Sequence, residues 1–187
     1  MSDDVRLLRA SDHRRMAWSN GGGTTYEVAT SPEGAGLDGF DWRISLADVA
    51  ASGPFSPFPG IDRSLVLVDG AGMELEIDGA TTALRRHDVV HFAGEQSVSC
   101  RLTHGPTRDL NVMTRRGRCR ALVEVVDVEA VPLLAAVPPA LLVVVCIDGQ
   151  VLLGDDDLAP RDAAVLRIPA TLSGTGTVVL VHVHPST

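Results

Sequence analysis

The side chains in this 187-residue chain best suited to chemistry sit at alternating positions in short apolar stretches. In Trp42–Ala47, a strand puts Arg43 and Ser45 on one side and Trp42, Ile44 and Leu46 on the other. In Asp109–Thr114, Asp109, Asn111 and Met113 oppose Leu110 and Val112, and in Thr24–Ala29, Thr25 and Glu27 share a face. Solvent exposure is the ordinary fate of such polar faces. Turned into a barrel lumen, they instead make a binding site. A fixed Arg43 would grip a carboxylate bidentately, with Ser45 and Asn111 completing the hydrogen bonds. Trp18 offers a flat apolar plate beside the donor–acceptor amide of Asn20, and Phe55 with Phe58 offers a hydrophobic rim. The set suits a small carboxylate or an imidazole-bearing acid.

Other chemistries find less support. Glu27 or Asp109 would serve as a general base if buried with a raised pKa. Ser45, Ser56 and the three cysteines have no neighbouring His in a nucleophile motif. On a strand, His87 and His91 share a face, as do His182 and His184, and either pair would supply two imidazoles to a metal. No acidic ligand follows His184, so neither a metal nor another cofactor is expected. Gly21-Gly22-Gly23 lacks a following Gly-Lys-Ser/Thr and reads as a turn rather than a phosphate loop. Asp62-Arg63 reads as a salt-bridged turn leading into a strand at Ser64. The basic cluster Arg115, Arg116, Arg118 and Arg120 reads as a solvated linker.

The elements that position these groups are strands. Apolar alternation broken by Gly, Pro and Asp dominates, with helix candidates only at Leu46–Ala51 and Val128–Leu134. Asp69-Gly70-Ala71-Gly72 and Asp148-Gly149 read as hairpin turns. The region around each runs apolar strand, Asp-Gly, second strand, acidic-Gly turn, then Asp88 or Asp162 opening another strand. This ordered agreement points to two β units of similar plan. Composition sets the outer limits. A net charge of −8, with every basic residue an Arg, argues against a nucleic-acid partner. The longest apolar stretch, Leu133–Ile147, holds two prolines and falls short of the ~20 residues a membrane helix needs. The acidic start MSDDVRLLRA has no export pattern, and the cysteines are odd in number and scattered. A cytoplasmic protein is expected, with neither a nucleic-acid nor a membrane partner.

Asp88-Val-Val-His-Phe-Ala-Gly94, preceded by strand, Gly turn and strand, resembles the cupin jelly roll, although Ser97 or a near neighbour stands where a ligand His would be. Four segments narrow this: Met16–Glu27 (MAWSNGGGTTYE), Phe40–Ala47 (FDWRISLA), Gly53–Arg63 (GPFSPFPGIDR) and Gly105–Arg115 (GPTRDLNVMTR). Together they resemble the HutD/Ves family. The resemblance implies an all-β fold of two cupin-like (RmlC-like) jelly-roll barrels in tandem, a bicupin with few short helices. The expected domains are 1–118, carrying the pocket, and 119–187, with the N-terminal strand open to sharing between them. It also implies a regulatory protein linked to histidine utilisation that binds a small molecule without metal, with no reaction attached. The competing expectations are a cupin-type isomerase, hydrolase or dioxygenase acting on a small acid, and a partner-binding protein without ligand. Pairing of barrel edges makes a homodimer the expected assembly.

Overall fold

The computed structural model describes residues 4–130 and 140–186. Among them the strands are, in chain order, β1 (Val5–Leu8), β2 (Arg14–Ala17), β3 (Gly23–Ser31), β4 (Trp42–Val49), β5 (Gly53–Pro54) and β6 (Ile61–Asp69). Then come β7 (Met73–Ile77), β8 (Ala80–Leu84), β9 (Val89–Ala93), β10 (Val98–Leu102) and β11 (Thr107–Arg115). The last are β12 (Cys119–Asp127), β13 (Leu141–Leu153), β14 (Asp156–Leu158), β15 (Ala163–Leu166) and β16 (Leu172–Pro185). Only two short 3-10 turns interrupt them, Ala10–Asp12 and Val128–Ala130. The all-β expectation holds. The helix expected at Leu46–Ala51 is instead the end of β4, and most of the other lies outside the described residues.

The chain divides into two units. Arg14–Arg118 forms one; residues up to His13, with Cys119 onward, form the other. In the Arg14–Arg118 unit, a six-stranded sheet in the order β2-β3-β4-β11-β6-β9 accompanies a four-stranded sheet, β5-β10-β7-β8. Ala47, Leu65 and Leu67 of the first sheet pack in one buried cluster with Leu75, Val98 and Cys100 of the second. Asp69-Gly70-Ala71-Gly72 therefore carries the chain from one sheet to the other and does not close a hairpin.

The other unit has one sheet, β1-β15-β13-β16-β12, with β14 on β13. Asp148-Gly149, read from sequence as a hairpin turn, lies inside β13, where Gly149 faces Gly176 on β16. A Cβ on Gly149 would strike the Thr175 carbonyl, so the glycine permits close strand approach. The basic cluster read as a solvated linker runs from the end of β11 through an exposed turn to the start of β12, where the chain passes from one unit to the other.

Each unit holds the same turn ahead of its Asp-opened strand. His87 and Arg161 both take positive φ, at 76° and 80°. Their N–H groups donate to the carbonyls of Leu67 and Cys146, each at 2.7 Å. In return the N–H groups of Leu67 and Cys146 donate to Asp88 and Asp162 carbonyls. Asp88 and Asp162 side chains then accept from the backbone three residues earlier, at Arg85 and Ala159. Leu84-x-x-His87-Asp88 and Leu158-x-x-Arg161-Asp162 thus encode one turn geometry used twice. It also takes His87 out of the strand, so His87 and His91 do not share a strand face.

Candidate functional site

Three strands build the site in register. Arg43 on β4 pairs with Met113 on β11, which pairs in turn with Arg63 on β6. Two residues along, the row is Ser45, Asn111 and Leu65; two further, Ala47, Asp109 and Leu67. β3 extends the rows by setting Glu27 beside Ser45 and Thr25 beside Ala47. Alternate residues share a face, so the rows form one surface that is cationic at one end and apolar at the other.

That surface lines a cavity of about 310 Å³. From the sheet come Arg43, Ser45, Asp109, Asn111 and Met113; from β2, β3 and their connection come Trp18, Asn20 and Thr25. Phe55 and Phe58 complete it from the segment after β5. Trp18 is held flat by two contacts. Its indole N–H donates to Thr25 Oγ1 at 2.8 Å, and its ring lies where a Cβ on Gly23 would stand, 3.0 Å away. Gly23 is thus a packing requirement of the Trp18 wall. Asn20 Oδ1 accepts the Gly22 N–H at 2.9 Å, closing its own turn. Glu27 lies behind the wall, where its Oε2 takes Arg43 Nε at 2.7 Å in a pair almost free of solvent. Arg43 Nη1 also reaches Ser45 Oγ at 3.4 Å.

Arg63, the second cation of the cavity, lies outside the three alternating stretches. The structure contradicts the reading of Asp62-Arg63 as an internal salt-bridged turn. Gly60, at φ 77°, closes the preceding turn, and β6 starts at Ile61. Asp62 then faces solvent and pairs with Arg116 at 2.9 Å. Arg63 faces inward, only 7% exposed. Its guanidinium lies 5.4, 5.5 and 4.9 Å from the ring centres of Phe55, Phe58 and Phe92. Its Nη2 donates to Asn111 Oδ1 at 2.7 Å. The available signal was period two from Leu65 and Leu67 backwards, which puts Arg63 on their face.

Burial dominates the electrostatics. It pulls Arg63 down to about 10, with Asp109 opposing the shift and Arg43 adding to it, so the guanidinium stays charged at neutral pH. Burial pushes Asp109 up to about 7; Arg63 and the Asn111 hydrogen bond oppose that shift, and Asp48 adds to it. Two guanidinium ions therefore line the cavity, one of them paired from behind with Glu27, beside one carboxyl, Asp109, that titrates near neutrality.

A cupin metal would need His and carboxylate donors in the barrel, and the cavity wall contains neither His nor Cys. Two guanidinium ions there repel a cation, so the donor set does not fit a metal. Elsewhere, His91 Nδ1 is hydrogen-bonded with Ser64 Oγ at 2.8 Å, and His182 lies 3.9 Å from Glu124. Among the described residues no cluster of three or more His, Cys, Asp or Glu is placed to hold a metal ion. No helix among them is long and apolar enough to cross a membrane.

Fold and site together define a cupin-like all-β protein with an arginine-lined cavity in its Arg14–Arg118 unit. The HutD sequence profile matches residues 10–180, and the chain belongs to the HutD family. A Pseudomonas putida protein described as an uncharacterized 21.2 kDa protein in the hutC 3′ region is 45% identical over 124 residues, 66% of this chain. Protein Ves of Citrobacter koseri is 43% identical over 121 residues, 62% of this chain. The chain spans under two thirds of these relatives, 65% of the first and 62% of the second. The structure of HutD from Pseudomonas fluorescens SBW25 superposes with a TM-score of 0.85 at 33% identity, covering 98% of this chain and 100% of that one. The Escherichia coli pirin YhhW, at 9% identity and a TM-score of 0.73, shares the fold alone, covering 98% of this chain and 100% of its own.

Proposed function

We propose that the chain binds a small carboxylate-bearing metabolite without metal and acts as a regulatory receptor linked to histidine utilisation. One observation carries the binding part: two buried guanidinium groups, Arg43 and Arg63, line one small cavity, with Glu27 paired to Arg43 alone. Such an arrangement is stabilised by an incoming anion, because the two buried guanidinium groups outnumber the one carboxylate paired with them. Walls of Trp18, Phe55 and Phe58 suit a compact, partly apolar acid, and the volume lies at the low end of small-molecule pockets. The link to histidine utilisation rests on family membership and on the printed locus of the Pseudomonas putida relative.

Thermal shift with acetate, propionate, succinate, imidazole and imidazole-4-acetate, with and without chelator, tests the binding. A carboxylate is expected to raise the melting temperature equally with and without EDTA. Arg63→Gln and Arg43→Gln should each weaken binding about tenfold or more, the worth of a charge-assisted hydrogen bond. A carboxylate shift identical in wild type and Arg63→Gln would refute the assignment.

Asp109 favours a second reading, a cupin-type enzyme acting on a small acid. A buried carboxyl titrating near neutrality inside a cavity has the property a general base needs. Its signature is exchange of the α-hydrogen of a bound acid for deuterium, followed by proton NMR and lost in Asp109→Asn.

A further inference from the structure

Asp109 lines the cavity, and only one of its two carboxyl oxygens has a hydrogen-bond partner among the described residues. Its Oδ1 accepts Asn111 Nδ2 at 2.5 Å. The orientation of that amide is dictated from its far side, because Asn111 Oδ1 accepts from Arg63 Nη2 and a guanidinium can only donate. Asn111 therefore turns its nitrogen to Asp109, and Asp109 Oδ1 is an acceptor in every protonation state. Any proton on this carboxyl resides on Oδ2. Asp109 is 1% exposed and lines the cavity, and Oδ2 has no hydrogen-bond partner among the described residues. A buried carboxylate oxygen without a partner is costly, so the site is built for a group that supplies one.

The surroundings of Asp109 leave that role to the ligand. From β6 it faces Arg63, whose Nη2 donates to Asn111 and whose buried Nε has no partner of its own among the described residues. From β4 it feels Asp48, whose carboxylate takes Arg108 at 2.6 Å. From β10 it feels the buried Cys100 thiol, whose pKa is raised chiefly by burial.

We propose that the ligand is an acid carrying a hydroxyl or N–H group that donates to Asp109 Oδ2 while its carboxylate sits on the guanidinium groups of Arg43 and Arg63. This inference rests on the carboxylate reading above. Arg63 Nη2 and Asp109 Oδ1 are bridged by the one Asn111 amide, so they lie within about 7.5 Å, two hydrogen bonds and an amide width. The donor therefore stands a few bonds from the carboxylate, as in a 2-hydroxy or 2-amido acid. Acids with a carboxylate alone fill half the site. Proton uptake converts Oδ2 from acceptor to donor, so the preference belongs to the ionised form.

Matched pairs test this by isothermal titration calorimetry: lactate against 2-methoxypropionate, and N-acetylglycine against N-acetylsarcosine, at pH 8.5 and 5.5. In wild type at pH 8.5, at least one donor-bearing acid should bind about tenfold or more tightly than its methylated twin. At pH 5.5 the ratio should fall to about two or less. Asp109→Asn keeps an oxygen toward Asn111 and points an NH2 into the cavity, so its ratio should be near one at both pH values. Acetate on wild type and Arg63→Gln is the control for the underlying reading. Twins of equal affinity at pH 8.5, with acetate bound through Arg63, overturn the donor requirement alone. No binding of acetate or of any member of the pairs overturns both readings.

Discussion

Replacing Asp109 by Asn should change how stability depends on pH in the ligand-free protein. In the unfolded chain this carboxyl loses its proton near 3.8, and in the folded protein near 7. Between those values the folded state holds a proton that the unfolded state has released, so stability falls as pH rises. The contribution is fully present below 3.8 and is lost once pH passes the folded value. At about 1.4 kcal/mol per unit, the span amounts to roughly 4 kcal/mol. Asparagine cannot titrate, keeps the acceptor that Asn111 requires and has nearly the same volume. Wild type should therefore lose roughly 4 kcal/mol relative to Asp109→Asn between pH 4 and 8, as other groups cancel in the comparison. Urea unfolding followed by tryptophan fluorescence reports on the correct unit, because Trp18 and Trp42 both lie within Arg14–Arg118. A wild-type-minus-variant difference constant to within about 1 kcal/mol across that range would refute the argument that burial raises this group.

Three further outcomes are expected. Glu27→Gln leaves Arg43 buried without its partner and should cost about 3–5 kcal/mol in urea unfolding; acetate should then stabilise the variant more than wild type, and an equal or smaller shift would contradict the anion site. In the other unit, burial raises the Asp162 carboxyl, but the Ala10 N–H, Arg9 and the Ala159 N–H together bring it below the usual range. Its stabilisation is present above the unfolded pKa and lost as pH falls through the folded one, so Arg9→Ala should destabilise at pH 7 by about 1 kcal/mol and converge with wild type in acid, read by hydrogen exchange on β15 peptides. Gly94→Ala sets a Cβ against the carbonyls of Phe58 and Ile61; the strand must shift, at about 1–3 kcal/mol in thermal unfolding, and acetate affinity should fall as Phe58 moves.

The strands of the site were legible because period two survives where one face is polar. Arg43 and Ser45 alternate with fully buried Ile44 and nearly buried Leu46, and Asp109 and Asn111 alternate with Leu110 and Val112. Arg63 was not, since a charged pair after Pro59-Gly60 reads locally as a turn, and only the register with Met113 shows which way it points. Glu27 was legible as a site residue but not as the Arg43 counter-ion, a contact between neighbouring strands made by reach rather than spacing. Asp148-Gly149 misled for the opposite reason: the same dipeptide that favours a hairpin also lets two strands approach closely.

The register of β1 has a consequence for the order in which the chain is made. Among the described residues Val5–Leu8 pairs with Leu166–Ala163 alone, although the whole Arg14–Arg118 unit is encoded between them. At ~5–20 residues per second, β1 waits on the order of ten to thirty seconds on the ribosome before its partner emerges. Within that interval both sheets of the inserted unit, and with them every side chain of the arginine cavity, are already available to fold. Vectorial synthesis thus makes the Arg14–Arg118 unit available before the β1–β15 pairing. Trimming the first residues strips an edge from the late-forming sheet while leaving the cavity's own strands whole.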